Sequence, residues 1–164
     1  PTDQNRRSLR SKCKIRRNIN FKEMTADQII KFLQLKPHPE GGWYKQTWKS
    51  EDTFSGRASG TSIYFLLKAG EISHWHKIDS VEIWHYYDGS PLILRTANEG
   101  NNGFATKILG PDLAKSQLPQ ILVNKNLWQS AETTGDYTLV GCTVSPGFEF
   151  SKFILAPKNF NPNS

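Results

Sequence analysis

The sequence predicts an all-β sandwich or barrel with a single short helix near its start. Three observations carry that expectation. Beyond residue 60 the chain is a succession of short runs rich in β-branched and aromatic residues, each closed by Gly, Pro, Asn or Asp. Only one stretch joins a helix start signal to helical spacing of apolar residues. The length, 164 residues, is that of one ordinary domain, enough to bury a core without disulfide or metal staples.

Taken in order, residues 1–22 come first. They carry eight basic residues (Arg6, Arg7, Arg10, Lys12, Lys14, Arg16, Arg17, Lys22) against Asp3, a net of +7. The remaining residues hold thirteen basic and fourteen acidic side chains, a net of −1, so the overall +6 belongs to this segment and not to the fold. Few apolar residues and no period mark it as a basic, disordered tail. Nucleic acid, if bound at all, is expected only through it. A cytoplasmic location is expected, or a nuclear one if the tail is a localisation signal.

The domain proper is expected over 23–157. Thr25-Ala26-Asp27-Gln28 is a capping box, with Ile29, Ile30 and Leu33 following on one helical face, and the helix should stop before Pro37. His38-Pro39-Glu40-Gly41-Gly42 reads as a rigid loop, 42–48 as a strand and 49–60 as a polar loop. Strands are predicted at 61–67, 72–77, 81–87, 92–97, 104–109, 120–124, 128–133, 137–144 and 148–155. Residues 158–164 read as a frayed end.

The two cysteines, Cys13 and Cys142, make neither a disulfide framework nor a zinc-ligand pair. Cys142 lies in an apolar run and should be inert. No apolar run approaches the roughly 18 residues of a membrane helix, and no membrane partner is expected.

Chemistry concentrates in Ser73 to Gly89, which holds three of the four histidines. If both strands there alternate regularly, His74 and His76 share one face, Glu82, Trp84 and Tyr86 share another, and His85 points away. Two imidazoles and a carboxylate from neighbouring strands suit a metal, acid–base chemistry or mutual satisfaction in a barrel interior.

The pair His74 and His76, Glu82 and then Gly89 resemble the first motif of the cupin superfamily. With His38-Pro39-Glu40-Gly41-Gly42, the run from Glu82 to Gly89 and the run from Leu139 to Phe150, the chain resembles the fifth cupin family, a domain-of-unknown-function group related in fold to rhamnose-pathway sugar-nucleotide epimerases. The resemblance covers about residues 24–153. It implies a double-stranded β-helix, a cupin jelly-roll barrel with one short N-terminal helix, paired as a homodimer and opening a pocket between its sheets.

Two departures bear on function. Metal cupins place three or four residues between the second histidine and the glutamate, where this chain has five, and they add a histidine from a second motif. Here the corresponding region, 123–131, has Trp128 and Gln129 but no histidine. No cofactor is therefore expected, and a divalent metal on His74, His76 and Glu82 is the alternative. Without metal, His76 and Glu82 are the acid–base candidates. The related epimerases add a tyrosine acid, for which Tyr86, Tyr137 and Tyr44 are candidates. Glu40, Tyr44, Trp84, Trp128 and Phe148 are candidate ligand-binding residues, and Arg57 a candidate for an anionic group. The expected function is a small-molecule cupin, isomerase- or epimerase-like, acting on a carbohydrate or nucleotide-sugar-like ligand by His/Glu acid–base chemistry. A non-catalytic sensor or storage cupin is the alternative, and a metal-dependent oxygenase a third reading.

Overall fold

The computed structural model describes residues 24–100 and 103–162. The basic segment 1–22 and Cys13 lie outside the described residues. Helix α1 (Ala26–Leu33) starts at the capping box: the Gln28 N–H donates to Thr25 Oγ1 at 3.3 Å and the Thr25 N–H to Gln28 Oε1 at 2.9 Å. Two orphan donors of the first turn are thereby satisfied. The helix ends on Gln34 in the left-handed region, φ 58°. Its apolar face, centred on Ile29, packs with Leu35 on the outside of a sheet, over Leu66.

The strands are β1 (Lys36–Pro37), β2 (Trp43–Lys49), β3 (Thr53–Phe54), β4 (Arg57–Ala58), β5 (Thr61–Lys68), β6 (Ile72–Lys77), β7 (Val81–Gly89), β8 (Leu92–Ala97), β9 (Ala105–Leu109), β10 (Gln120–Val123), β11 (Trp128–Thr133), β12 (Tyr137–Ser145) and β13 (Ile154–Leu155). One sheet has the order β1-β2-β5-β12-β7-β10 and the other β13-β6-β11-β8-β9, and every named pair in them is antiparallel. The result is a two-layered β-sandwich.

Between the layers lies the main core, with Phe65, Leu67, Trp84, Leu92, Leu94, Leu109, Val140 and Cys142 among its members. Burying the Phe65 and Trp84 rings stabilises the fold by roughly 2–3 kcal/mol each. Next to this core, inward side chains of β2, β5, β7 and β12, among them Tyr44, Gln46, Thr61, Glu82 and Val144, line a hollow that Phe65, Trp84 and Cys142 of the core also border.

Three expectations are corrected. Residues 148–155 are not a strand: a 3-10 turn at Phe150–Lys152 precedes the two-residue β13, because Phe148, Phe150 and Phe153 are spent on closing the hollow and not on alternating across a sheet. The polar stretch 49–60 carries a separate hairpin, β3 with β4. The end from residue 158 is packed through residue 162, with Phe160 lying 4.7 Å from the Trp128 ring and 6.1 Å from Trp75 and the Pro162 carbonyl accepting from the Gly103 N–H at 2.9 Å.

Candidate active site

The strand β7 alternates as a half-buried strand should. Glu82 and Trp84 are buried between the sheets, whereas His85 faces outward with Nε2 3.3 Å from Thr143 Oγ1. Strand β6 does not alternate. Gln129 of β11 is opposite His76 and Ala131 is opposite Ser73, so Ser130 alone spans His74 and Trp75. This is a β-bulge with its extra residue in β6. Ser73 and His76, three residues apart, therefore both turn inward and are buried. His74 does not join them, and its Nε2 donates to the Pro157 carbonyl at 3.1 Å. The expected shared face of His74 and His76 is not formed.

The place beside His76 is filled from the loop before β2. Gly41 at φ +108° and Gly42 at φ +74° let the chain reverse against β6. A Cβ on Gly41 would lie 2.2 Å from the Ile72 carbonyl oxygen, so only glycine fits this approach. The Glu40 carbonyl then accepts from the His74 N–H at 2.8 Å, and Glu40 Oε1 accepts from Ser73 Oγ at 2.8 Å. With the carboxyl pinned this way, Oε2 lies 3.3 Å from His38 Nδ1 and 3.4 Å from His76 Nε2. The carboxyl that meets the His76 imidazole is thus Glu40.

Glu82 has a different partner. Its Oε2 accepts from Gln129 Nε2 at 2.5 Å, and Gln129 Oε1 accepts from Trp84 Nε1 at 3.0 Å, which locks carboxyl, amide and indole into one buried chain.

His38, Glu40, His76 and Glu82 line one cavity of about 280 Å³ with Lys36 and Gln46, and with the aromatic rings of Tyr44, Trp84, Phe148 and Phe153. Burial sets their charge states. It pushes Glu40 up to about 8, against the opposing Ser73 hydrogen bond, and pulls His38 down to about 4, helped by any charge on His76. Burial likewise lowers His76, opposed by the nearby Glu82 charge, and raises Glu82, opposed by the His76 charge. At neutral pH Glu40 is therefore a carboxylic acid beside neutral imidazoles, an acid and two bases within one wall. Burial also raises the Cys142 thiol well above its usual range, so it is no nucleophile.

Of the residues singled out in the sequence, His76, Glu82, Glu40, Tyr44, Trp84 and Phe148 line the cavity. The others do not. Tyr86 donates to the Gly89 carbonyl at 2.5 Å, and Tyr137 donates to Asp88 Oδ2 at 2.8 Å and packs in the cluster under α1. Trp128 lies in the cluster closed by Phe160, beneath the Lys77 ammonium at 4.6 Å. Arg57 forms a bidentate pair with Asp79, both contacts at 2.9 Å, and its Nε donates to the Gly147 carbonyl at 2.6 Å, which holds the segment bearing Phe148 in place. Sequence reasoning missed His38, Phe153 and the contact role of Gln129. The loop glycines were the available signal for His38.

The metal alternative needs His74, His76 and Glu82 to converge. His74 is committed to the Pro157 carbonyl on the other side of the bulge, so this donor set does not fit. Among the described residues no group of three or more His, Cys, Asp or Glu side chains is arranged to hold a metal ion. No helix among them is long and apolar enough to cross a membrane.

Comparison with known proteins gives a consistent result. Residues 27–156 match the family described as "Cupin superfamily (DUF985)". A crystal structure of a Shewanella oneidensis protein is 40% identical, with a TM-score of 0.78 over 82% of this chain and 85% of that one. A hypothetical protein from Leishmania major is 30% identical, with a TM-score of 0.74 over 79% of this chain and 86% of that one. Oxalate decarboxylase from Bacillus subtilis matches at 12% identity and a TM-score of 0.56 over 73% of this chain and 29% of that one, a likeness of fold alone. No protein with a curated description matches the chain.

Proposed function

We propose that this chain, which belongs to the cupin superfamily in the group described as DUF985, is a small-molecule enzyme of isomerase or epimerase type that moves a proton on a carbohydrate-like ligand. One observation carries the reading: a buried carboxyl of the HPEGG loop lies within 3.3–3.4 Å of two imidazoles on the wall of an aromatic-lined cavity. Proton transfer needs an acid and a base that are both in their active forms at the same pH, and opposite shifts of Glu40 and His76 supply that condition.

In this reading His76 is the base. Its Nδ1 donates to the His74 carbonyl at 2.8 Å, which fixes the ring and leaves the lone pair of the neutral imidazole on Nε2, toward the cavity. Glu82, held by Gln129, lies near enough for its charge to favour the imidazolium once formed. Cavity size narrows the ligand. An apolar cavity of about 150 Å³ holds a benzene ring, so by proportion about 280 Å³ holds roughly a dozen heavy atoms. That is a single monosaccharide and not a nucleotide sugar. A homodimer is the assembly that goes with this reading.

The test is exchange. Full-length protein is incubated in D₂O with a panel of monosaccharide-sized carbonyl sugars, and carbon-bound deuterium is followed by NMR. The expected result is wash-in that is lost in His76→Asn and kept in His85→Asn. A sugar that binds but shows no exchange in the unaltered protein would identify a binding module instead.

A further inference from the structure

Building on that acid–base reading, the geometry points to Glu40 as the group that receives substrate oxygen. As a neutral carboxylic acid it donates a hydrogen bond to the oxygen of an enolate formed when His76 takes a proton from the carbon beside a carbonyl. The substrate class is a small, flat-enolising carbonyl compound. The balance is complete within the site: the C–H bond breaks, its proton goes to His76 Nε2, its electron pair forms the C=C bond, and the carbonyl π pair moves to the oxygen facing Glu40. Returning the proton to the same carbon from either face reforms the carbonyl and completes an epimerisation without an oxidant or reductant.

Four observations support the assignment. The first concerns lone pairs. His76 Nδ1 donates to the His74 carbonyl at 2.8 Å, so the neutral ring presents a lone pair at Nε2, 3.4 Å from Oε2. An ionised oxygen facing that lone pair would be repelled by it, so Oε2 is the atom that carries the proton. Second, Oε1 is committed to Ser73 at 2.8 Å, which fixes the carboxyl plane. Third, at 3.3 and 3.4 Å the contacts of Oε2 fall outside the roughly 2.7–3.2 Å range of well-formed hydrogen bonds. The O–H is therefore held loosely between two acceptors and is available to a stronger one, and an oxyanion is stronger. Fourth, the rings of Trp84, Phe148 and Phe153 give the cavity wall apolar surface for a planar ligand, and Lys36, 5.2 Å over the Tyr44 ring, is on the same lining. A preorganised neutral donor in such surroundings acts on the developing charge with little reorganisation.

The titratable groups facing Glu40 are His38 on its own loop, His76 from β6, Glu82 from β7 and Cys142 from β12, with Lys36 also on the cavity lining. Both imidazoles titrate below their ordinary range and the thiol well above its own.

The test uses 4-nitrophenolate as an enolate mimic and benzylamine as a cationic aromatic probe of similar size, each titrated into full-length protein by calorimetry from pH 7.5 to 9, where the phenol is mainly ionised. The expected result is that 4-nitrophenolate binds more tightly than benzylamine, and that its affinity falls as pH rises through about 8, where Glu40 ionises. Glu40→Gln, whose amide reproduces the donor, should keep affinity within about threefold and lose the fall near pH 8. Glu40→Leu, which has no donor, should weaken binding by about 30-fold or more. Tighter binding of benzylamine, or an unchanged pH profile in Glu40→Gln, would overturn the assignment, and the latter reading does not depend on Glu40→Leu folding. Failure here is separable from failure of the acid–base reading. Sugar exchange with no phenolate preference removes the Glu40 role alone, whereas Glu40-dependent phenolate binding without any exchange removes the enzyme and leaves the oxyanion receptor.

Discussion

Replacing Glu40 by Gln should make the protein more stable at neutral pH. In the folded chain burial raises this carboxyl from 4.5 to about 8. Between those values the folded state holds a proton that the unfolded state has released, so stability falls with rising pH by about 1.4 kcal/mol per unit. The loss begins near pH 4.5 and is complete once pH passes the folded value near 8. Gln is shaped like the protonated acid: its carbonyl oxygen can still accept from Ser73 Oγ, and its amide N–H₂ can face His38 and His76 as the O–H does. The variant therefore keeps the contacts and avoids the titration. Urea denaturation of both proteins at pH 5, 6, 7 and 8 should show a difference below about 1 kcal/mol at pH 5, rising to about 3 kcal/mol in favour of Glu40→Gln at pH 7. In a thermal melt at pH 7 this corresponds to about 10 °C. The two buried imidazoles work in the other sense, because their lowered values make stability rise with pH up to the unfolded histidine range, but they are present in both proteins and largely cancel. A difference that stays flat across pH, or a variant less stable than the parent at pH 7, would refute the argument that this carboxyl is buried as an acid.

Further perturbations address the frame around the site. Gly41→Ala places a Cβ 2.2 Å from the Ile72 carbonyl oxygen at a φ of +108°, and should lose about 3 kcal/mol or more in denaturant titrations while abolishing ligand binding through displacement of Glu40. Arg57→Ala removes the bidentate contact to Asp79 and the bond to the Gly147 carbonyl. It should cost about 1 kcal/mol and make residues 146–153 cleave faster in limited proteolysis, and an unchanged cleavage rate would show that the segment is held by its phenylalanines alone. His74→Ala should leave the metal content of the purified protein unchanged by elemental analysis, whatever that content is, and a metal lost specifically in this variant would mean that the bulge in β6 is misplaced.

Strand β7 was legible because a half-buried strand has a period of two and nothing interrupts it up to Tyr86, so Glu82 and Trp84 fall inward and His85 outward. The capping box of α1 was legible because both of its bonds are local. By contrast, the face of His74 was not. A bulge is a property of the pairing between β6 and β11, and no residue of β6 signals it alone. The meeting of Glu40 with His76 was hidden for a similar reason, since it joins a loop and a strand over thirty-six positions through two glycines whose φ values are positive. The segment with Phe148, Phe150 and Phe153 read as a strand because aromatic residues favour sheets, while tertiary packing uses these rings to wall the cavity.

The extra residue in β6 also separates two surfaces that mutation would otherwise couple. It behaves as an insertion of one codon that leaves the inner face in phase, since Ser73 and His76 both still point to the cavity. The added length appears only outside, where two adjacent residues are free for other work: His74 holds the Pro157 carbonyl, and Trp75 accepts the Ala156 N–H at 2.8 Å and packs against Phe160. Substitutions at this outer pair therefore act on the contacts to residues 156–160 without altering the cavity wall. A motif search that counts residues between histidines will misjudge such chains, because it measures distance along the polymer where the relevant variable is which side of the sheet each residue reaches.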